Sequence, residues 1–196
     1  ASVSDDASEE WIANVTVGTL NNTTISDDGY GDYTALGTDL TIGATTPIAL
    51  TPGFDGTTYN EYFTVWIDLD QDGAFTTTGE LLFTSGAATA TINGALPIPV
   101  GTPVGTTRMR VIMVYDEAAT SGCEAAYEFG ETEDYCVTMV DPNTGMSEQA
   151  ASTPSLTHFP DPADRVVFFD LHGANGTVLI EILDNSGRAV ERGRTA

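Results

Sequence analysis

The chain is 196 residues long and 41% hydrophobic, and its 29 acidic against 6 basic side chains give a formal net charge of −23. Every basic residue is an arginine, so a Schiff base or a lysine–asparagine crosslink has no lysine to run on. The charge excludes nucleic acid, whose binding depends on basic side chains displacing condensed counterions, and disfavours anionic lipid surfaces; it draws divalent cations, or simply confers solubility in salty water.

At the N-terminus, ASVSDDASEE lacks the basic and apolar leader of an export signal, and reads as the start of a mature product whose signal has been removed. Short segments rich in Thr, Val and Ile follow, separated by turn residues, with the two-residue period of strands and no helical spacing. Weaker strands are predicted over 12–17, 38–42, 47–50, 81–84 and 88–92. The strongest are three. Over 61–68, Phe63, Val65 and Ile67 share one face and Tyr62, Thr64 and Trp66 the other; over 108–115, Met109, Val111, Met113 and Tyr115 form the inward set; over 132–140, Tyr135, Val137 and Met139 alternate with Asp134, Cys136 and Thr138. Strands this short and numerous predict an all-β fold, an antiparallel β-sandwich of jelly-roll or Ig-like type. No apolar run approaches the roughly 20 residues of a membrane helix, so no transmembrane segment is expected. After residue 140, DPNTGMSEQAASTPS offers almost nothing to bury. It is predicted as a linker over 141–154 between a first domain, 1–140, and a small Ig-like β-domain, 155–196. In the latter, strands are predicted over 165–171, 177–183 and 188–192 around HGANG and DNSG turns. About 40 residues are fewer than an independent sandwich needs, so this domain is expected to be incomplete or to pack on the first.

The most specific local signal is Asp68-Leu69-Asp70-Gln71-Asp72-Gly73, with Glu80 beyond it. Calcium takes six to eight oxygens, and acids at alternate positions of a tight loop converge on one point, with Gly73 permitting the reversal. Counted from Asp68, the twelfth residue is Gly79 and the acid follows at Glu80; the flanks are strands, so this is not an EF-hand. Either Asp68, Asp70, Asp72 and Glu80 form a calcium loop, or Asp and Gly make an ordinary hairpin turn. Mutual repulsion of three acids in five residues argues for the ion. Further on, Gly130-Glu131-Thr132-Glu133-Asp134-Tyr135 puts Glu131 and Glu133 on one strand face, able to complete the calcium site or to pair with Arg108 and Arg110. Asp27-Asp28-Gly29-Tyr30-Gly31-Asp32-Tyr33 is predicted as a turn with exposed aromatics, and Tyr30, Tyr33, Tyr59 and Trp66 are candidate stacking platforms for a glycan. Cys123 and Cys136 form neither a CxxC pair nor a zinc array; they read as one disulfide, with two buried free thiols as the alternative. The only histidines, His158 and His172, stand apart from the cysteines and from any nucleophile motif. Neither a triad nor zinc chemistry is supported, and no enzyme is expected.

In chain order, Ile12-Ala13-Asn14-Val15-Thr16, Gly29 to Thr34, Val65-Trp66-Ile67-Asp68 with Asp72-Gly73-Ala74-Phe75 and Gly79-Glu80, Thr106 to Val111, and Gly130 to Tyr135 resemble the GEVED domain over about residues 9 to 140. Thr132 stands where valine is usual, and a cysteine often found near the start is lacking, which leaves Cys123 and Cys136 as each other's only partner. The resemblance implies a secreted or surface protein of Bacteroidetes, where such domains lie beside adhesive modules or enzymes. Phe159-Pro160-Asp161-Pro162-Ala163 is similar to the YPNPA opening of the sorting domain used in type IX secretion, and residues 178 to 190 to its VEIYDLSGRLV strand pair. That family continues through a further strand and a basic tail where this sequence stops. A sandwich without its last strands would expose Val167, Phe169, Leu179, Ile180 and Ile182, and such a surface seeks a strand from another chain. The expectation is an extracellular or outer-surface structural or adhesive protein, a self-associating subunit of a fibre or surface assembly, stabilised by calcium. The alternative is a carbohydrate-binding module or a non-catalytic accessory domain of a secreted protein.

Overall fold

The computed structural model describes residues 3–75, 78–123, 127–142, 155–159, 168–172 and 179–194, and every regular element among them is a strand. No helix among the described residues is long and apolar enough to cross a membrane. The chain divides into two compact units, 1–144 and 145–196.

The first unit holds β1 (Ser4–Asp6), β2 (Glu10–Val17), β3 (Leu20–Thr23), β4 (Tyr30–Thr41), β5 (Thr45–Phe54), β6 (Glu61–Ile67), β7 (Leu81–Thr84), β8 (Ile92–Pro97), β9 (Gly105–Tyr115) and β10 (Tyr127–Val140). One sheet is the antiparallel ladder β3-β2-β5-β8. The other runs antiparallel through β7-β6-β9-β10, and β1 and β4 then pair parallel with β10, opposite its first residues and its remainder. Period-two alternation gives each sheet an apolar face. Phe63, Val65 and Ile67, then Met109, Val111 and Met113, then Tyr135, Val137 and Met139 meet Ile12, Val15, Val17, Ile48, Leu50 and Leu96 in one core, so the two sheets form a β-sandwich.

The larger sheet is also covered outside. Trp66, Ile112 and Val114 point away from the sandwich and are buried with Phe75 and Ala119 in a second cluster. Covered on both faces, β6 is buried from Phe63 to Ile67 and β9 from Met109 to Val114, as in sheets enclosed by two layers. Tyr115, predicted inward, lies at the rim and is 41% exposed.

Two predictions are corrected here. The strand expected over 88–92 lies at Ile92–Pro97, with the Ala-rich sequence before it contributing only an isolated bridge from Ala88 to Glu61; Leu96 is the buried apolar anchor that the earlier segment lacks. The turn expected over Asp27 to Tyr33 is confined to its first residues, where Asp28 and Gly29 have φ of 54° and 90°. From Tyr30 on, the chain is β4, zipped to β10 from Tyr30↔Thr132 to Tyr33↔Tyr135.

Among the described residues, the second unit contains two antiparallel pairs, β11 (Ser155–Phe159) with β12 (Phe168–His172), and β13 (Leu179–Leu183) with β14 (Ala189–Arg194). The latter turn is held by the Asp184 carboxylate, which accepts the backbone N–H groups of Ser186 and Arg188. The linker expected from 141 lies outside the described residues beyond Pro142, as do Pro160 to Ala163, Val167 and the HGANG turn beyond His172.

Candidate functional site

Among the described residues, two groups of acids in the first unit bring their carboxylates close enough to share a cation. In the first, β6 hands over to a loop whose start is pinned to the sheet: the Asp68 N–H donates to the Arg108 carbonyl and Thr107 donates its hydroxyl to the Asp68 carbonyl. The Asp68 carboxylate accepts the N–H groups of Asp72 and Gly73, each at 3.1 Å, and Glu80 accepts that of Leu69 at 3.1 Å. Gln71 and Gly73 take positive φ of 62° and 85° to close the turn. Carboxylate oxygens of Asp68, Asp70 and Glu80 come within 4.8 Å of one another, with Asp68 and Glu80 buried and Asp70 exposed. Asp72 is not in this group; its carboxylate accepts the Ala74 N–H at 2.8 Å. Three carboxylates, each braced by a backbone amide, are a donor set that fits a hard, oxygen-seeking cation.

The second group lies in β10, where residues 130–135 are all buried. Gly130 has φ of 126°, and a Cβ there would stand 2.0 Å from the Met113 carbonyl oxygen, so a side chain has no room. Glu131 and Glu133 point into the sandwich. Glu131 accepts the Asp27 N–H at 2.7 Å and the Ile12 N–H at 2.8 Å, tying the turn before β4 and strand β2 to β10 with one side chain. Glu133 accepts the hydroxyls of Tyr135 at 2.7 Å and Thr24 at 3.0 Å. Asp27, in reach of both, accepts the Tyr33 hydroxyl. Desolvation pushes Glu131 up to about 7 and Glu133 up to about 8, against the hydrogen bonds that favour their ionised forms. On the outer face Asp134 takes Arg110 in a two-pronged pair, Nε to Oδ1 and Nη2 to Oδ2 both 2.7 Å, and accepts the Tyr30 hydroxyl at 2.9 Å. Arg110 also donates to the Gly122 carbonyl at 2.7 Å and lies 4.9 Å from the Phe75 ring centroid. The segment Gly130-Glu131-Thr132-Glu133-Asp134 is thus a brace between three strands and a turn, and residues 62–138 match the family model of the GEVED domain. That stretch is similar to the GEVED domain. The match takes in β6 to most of β10, narrower than the span of the sequence resemblance, and no curated protein matches the chain.

Within the matched stretch the expected pairing of Glu131 and Glu133 with Arg108 and Arg110 does not form. The β9–β10 register sets Arg110 opposite Asp134 and Arg108 opposite Cys136, and paired residues share a face. Arg108 stands 3.6 Å from Asp134 with its side chain half exposed. Nor do the two glutamates complete the Asp68 loop; they group with Asp27 instead.

Of the aromatic platforms, Trp66 is fully buried and donates its Nε1–H to Thr64. Tyr33 stacks on Tyr135 at 5.7 Å, Tyr30 is tied to Asp134, and Tyr59 donates to Glu9. These four residues therefore do not make one exposed stacking surface. Cys123 and Cys136 are free thiols and not a disulfide: the Cys123 sulfur is directed at the Phe75 carbonyl, at 3.8 Å. Sequence reasoning missed Glu61 and Glu10, which are 0% and 4% exposed. The signal was present, since Glu61 stands in the period-two set of Phe63, Val65 and Ile67.

Proposed function

We propose that the protein is an extracellular, non-catalytic structural or adhesive module, a self-associating subunit of a fibre or surface assembly, whose GEVED domain is rigidified by calcium at Asp68, Asp70 and Glu80. The convergence of those carboxylates within 4.8 Å carries the reading. Like charges about 4 Å apart repel by about 4 kcal/mol at an effective dielectric near 20, and a divalent cation turns that cost into attraction. Association is supported by the exposed Leu179, Leu183 and Val190 of β13–β14, a two-stranded hairpin of a kind that is marginal by itself. Export rests on the resemblance of the C-terminal segment to a sorting domain.

Thermal unfolding with calcium and with chelator, paired with sedimentation across a concentration series, tests the proposal. Calcium at a hundredfold excess over its dissociation constant is expected to add about 2.7 kcal/mol, Asp70→Ala is expected to abolish the gain, and oligomers are expected to grow with concentration. Melting that ignores chelator defeats the calcium reading; monomer at every concentration defeats the assembly.

A further inference from the structure

At the end of β6 remote from the acidic loop, Glu61 is wholly buried and neither of its carboxylate oxygens has a hydrogen-bond partner. Seven positions along the strand separate it from Asp68, a span of about 20 Å. Its cross-strand partner is Tyr115, and its charged neighbour is Glu10, whose carboxyl repels it. Glu10 and Tyr115 line a cavity of about 160 Å³ together with Glu9, Tyr59 and Phe129. The rings stand edge-on in series: Tyr59 to Tyr115 at 5.7 Å and 84°, Tyr115 to Phe129 at 6.3 Å and 86°. The two arginines of this unit are committed to Asp134, on the outer face of the larger sheet.

A carboxylate this buried is costly without donors or a counter-charge. A hard metal ion prefers six to eight oxygens, whereas three walls of this cavity are aromatic rings. Ring faces attract organic ammonium groups, and Glu9 and Glu10 in the lining, with Glu61 as the electrostatic neighbour of Glu10, supply the opposite charge. We propose that this cavity binds an alkylammonium group, presented by a lysine side chain of another molecule or by a free diamine. The chain has no lysine of its own, so the group comes from outside. Charge favours its approach, since the chain carries a net −23. This site and the acidic loop stand on separate observations, and neither reading depends on the other.

The test titrates the intact protein with n-butylammonium chloride, cadaverine and a lysine-containing tetrapeptide, following the ring resonances of Tyr59, Tyr115 and Phe129 by NMR. Saturable shifts are expected, at least about tenfold weaker in Glu61→Gln and in Tyr115→Leu, with the folded spectrum retained. Tighter binding of the peptide assigns the source to a protein lysine, and tighter binding of cadaverine to a free diamine; both uphold the site. Non-saturating shifts, equal affinity in the variants, or calcium moving the same rings through Glu61 as strongly as butylammonium would overturn it. Should Glu61→Gln not fold, Tyr115→Leu at the exposed rim decides the question.

Discussion

Arg110 and Asp134 have side chains 5% and 0% exposed, and both forks of the guanidinium are used. Such a pair is held by geometry rather than by net gain, because desolvation of both charges offsets most of their attraction. Removing one partner is another matter. Asp134→Ala or Arg110→Met alone is expected to cost about 3–5 kcal/mol in urea unfolding, and replacing both by apolar residues to recover most of it. Single variants within about 1 kcal/mol of the parent would show that the pair is hydrated. Arg110 also holds the Gly122 carbonyl, so its loss loosens the segment that covers Trp66 as well.

At the scale of strands, the inward register of β6 and β10 places carboxyls in the sandwich interior: Glu61 in one, Glu131 and Glu133 in the other. Burial pushes Glu61 up to about 8, Glu131 to about 7 and Glu133 to about 8 from an ordinary 4.5. The folded protein therefore holds protons that the unfolded chain releases above about pH 4.5. The stability this contributes is fully present below the unfolded value and is lost as pH rises through 7 to 8. In chelator and amine-free buffer, the melting temperature is expected to fall between pH 5.5 and 8.5, with a shallower slope in Glu133→Gln. A slope identical in parent and variant would mean that general charge repulsion alone sets the profile. The same strands show what alternation reveals. The apolar faces over 61–68, 108–115 and 132–140 were legible because a period of two fixes which side chains share a face. The start of β4 was not: Gly29 to Tyr33 is rich in turn formers, and the partner that makes it a strand lies about 100 residues away in β10.

At the scale of the whole molecule, the chain divides into two compact units. The sandwich core lies wholly within the first unit, while the described residues of the second form two-stranded pairs, with Leu179, Leu183 and Val190 about half exposed. A fragment of residues 1–144 is therefore expected to unfold cooperatively within about 3 °C of the full chain in calorimetry; a fall beyond about 10 °C would show that the second unit stabilises the first. The all-β class, the inward faces of the main strands and the acidic loop after β6 could be read from the residues, since alternation and turn chemistry are local. Tertiary structure alone decided what covers each face. It buried Trp66 beneath a distant loop, turned Glu131 and Glu133 into braces for strands far off in sequence, and left Glu61 buried without a hydrogen-bond partner. The reason is physical: alternation states which way a side chain points, but its partners and its dielectric surroundings come from elements that only folding brings together.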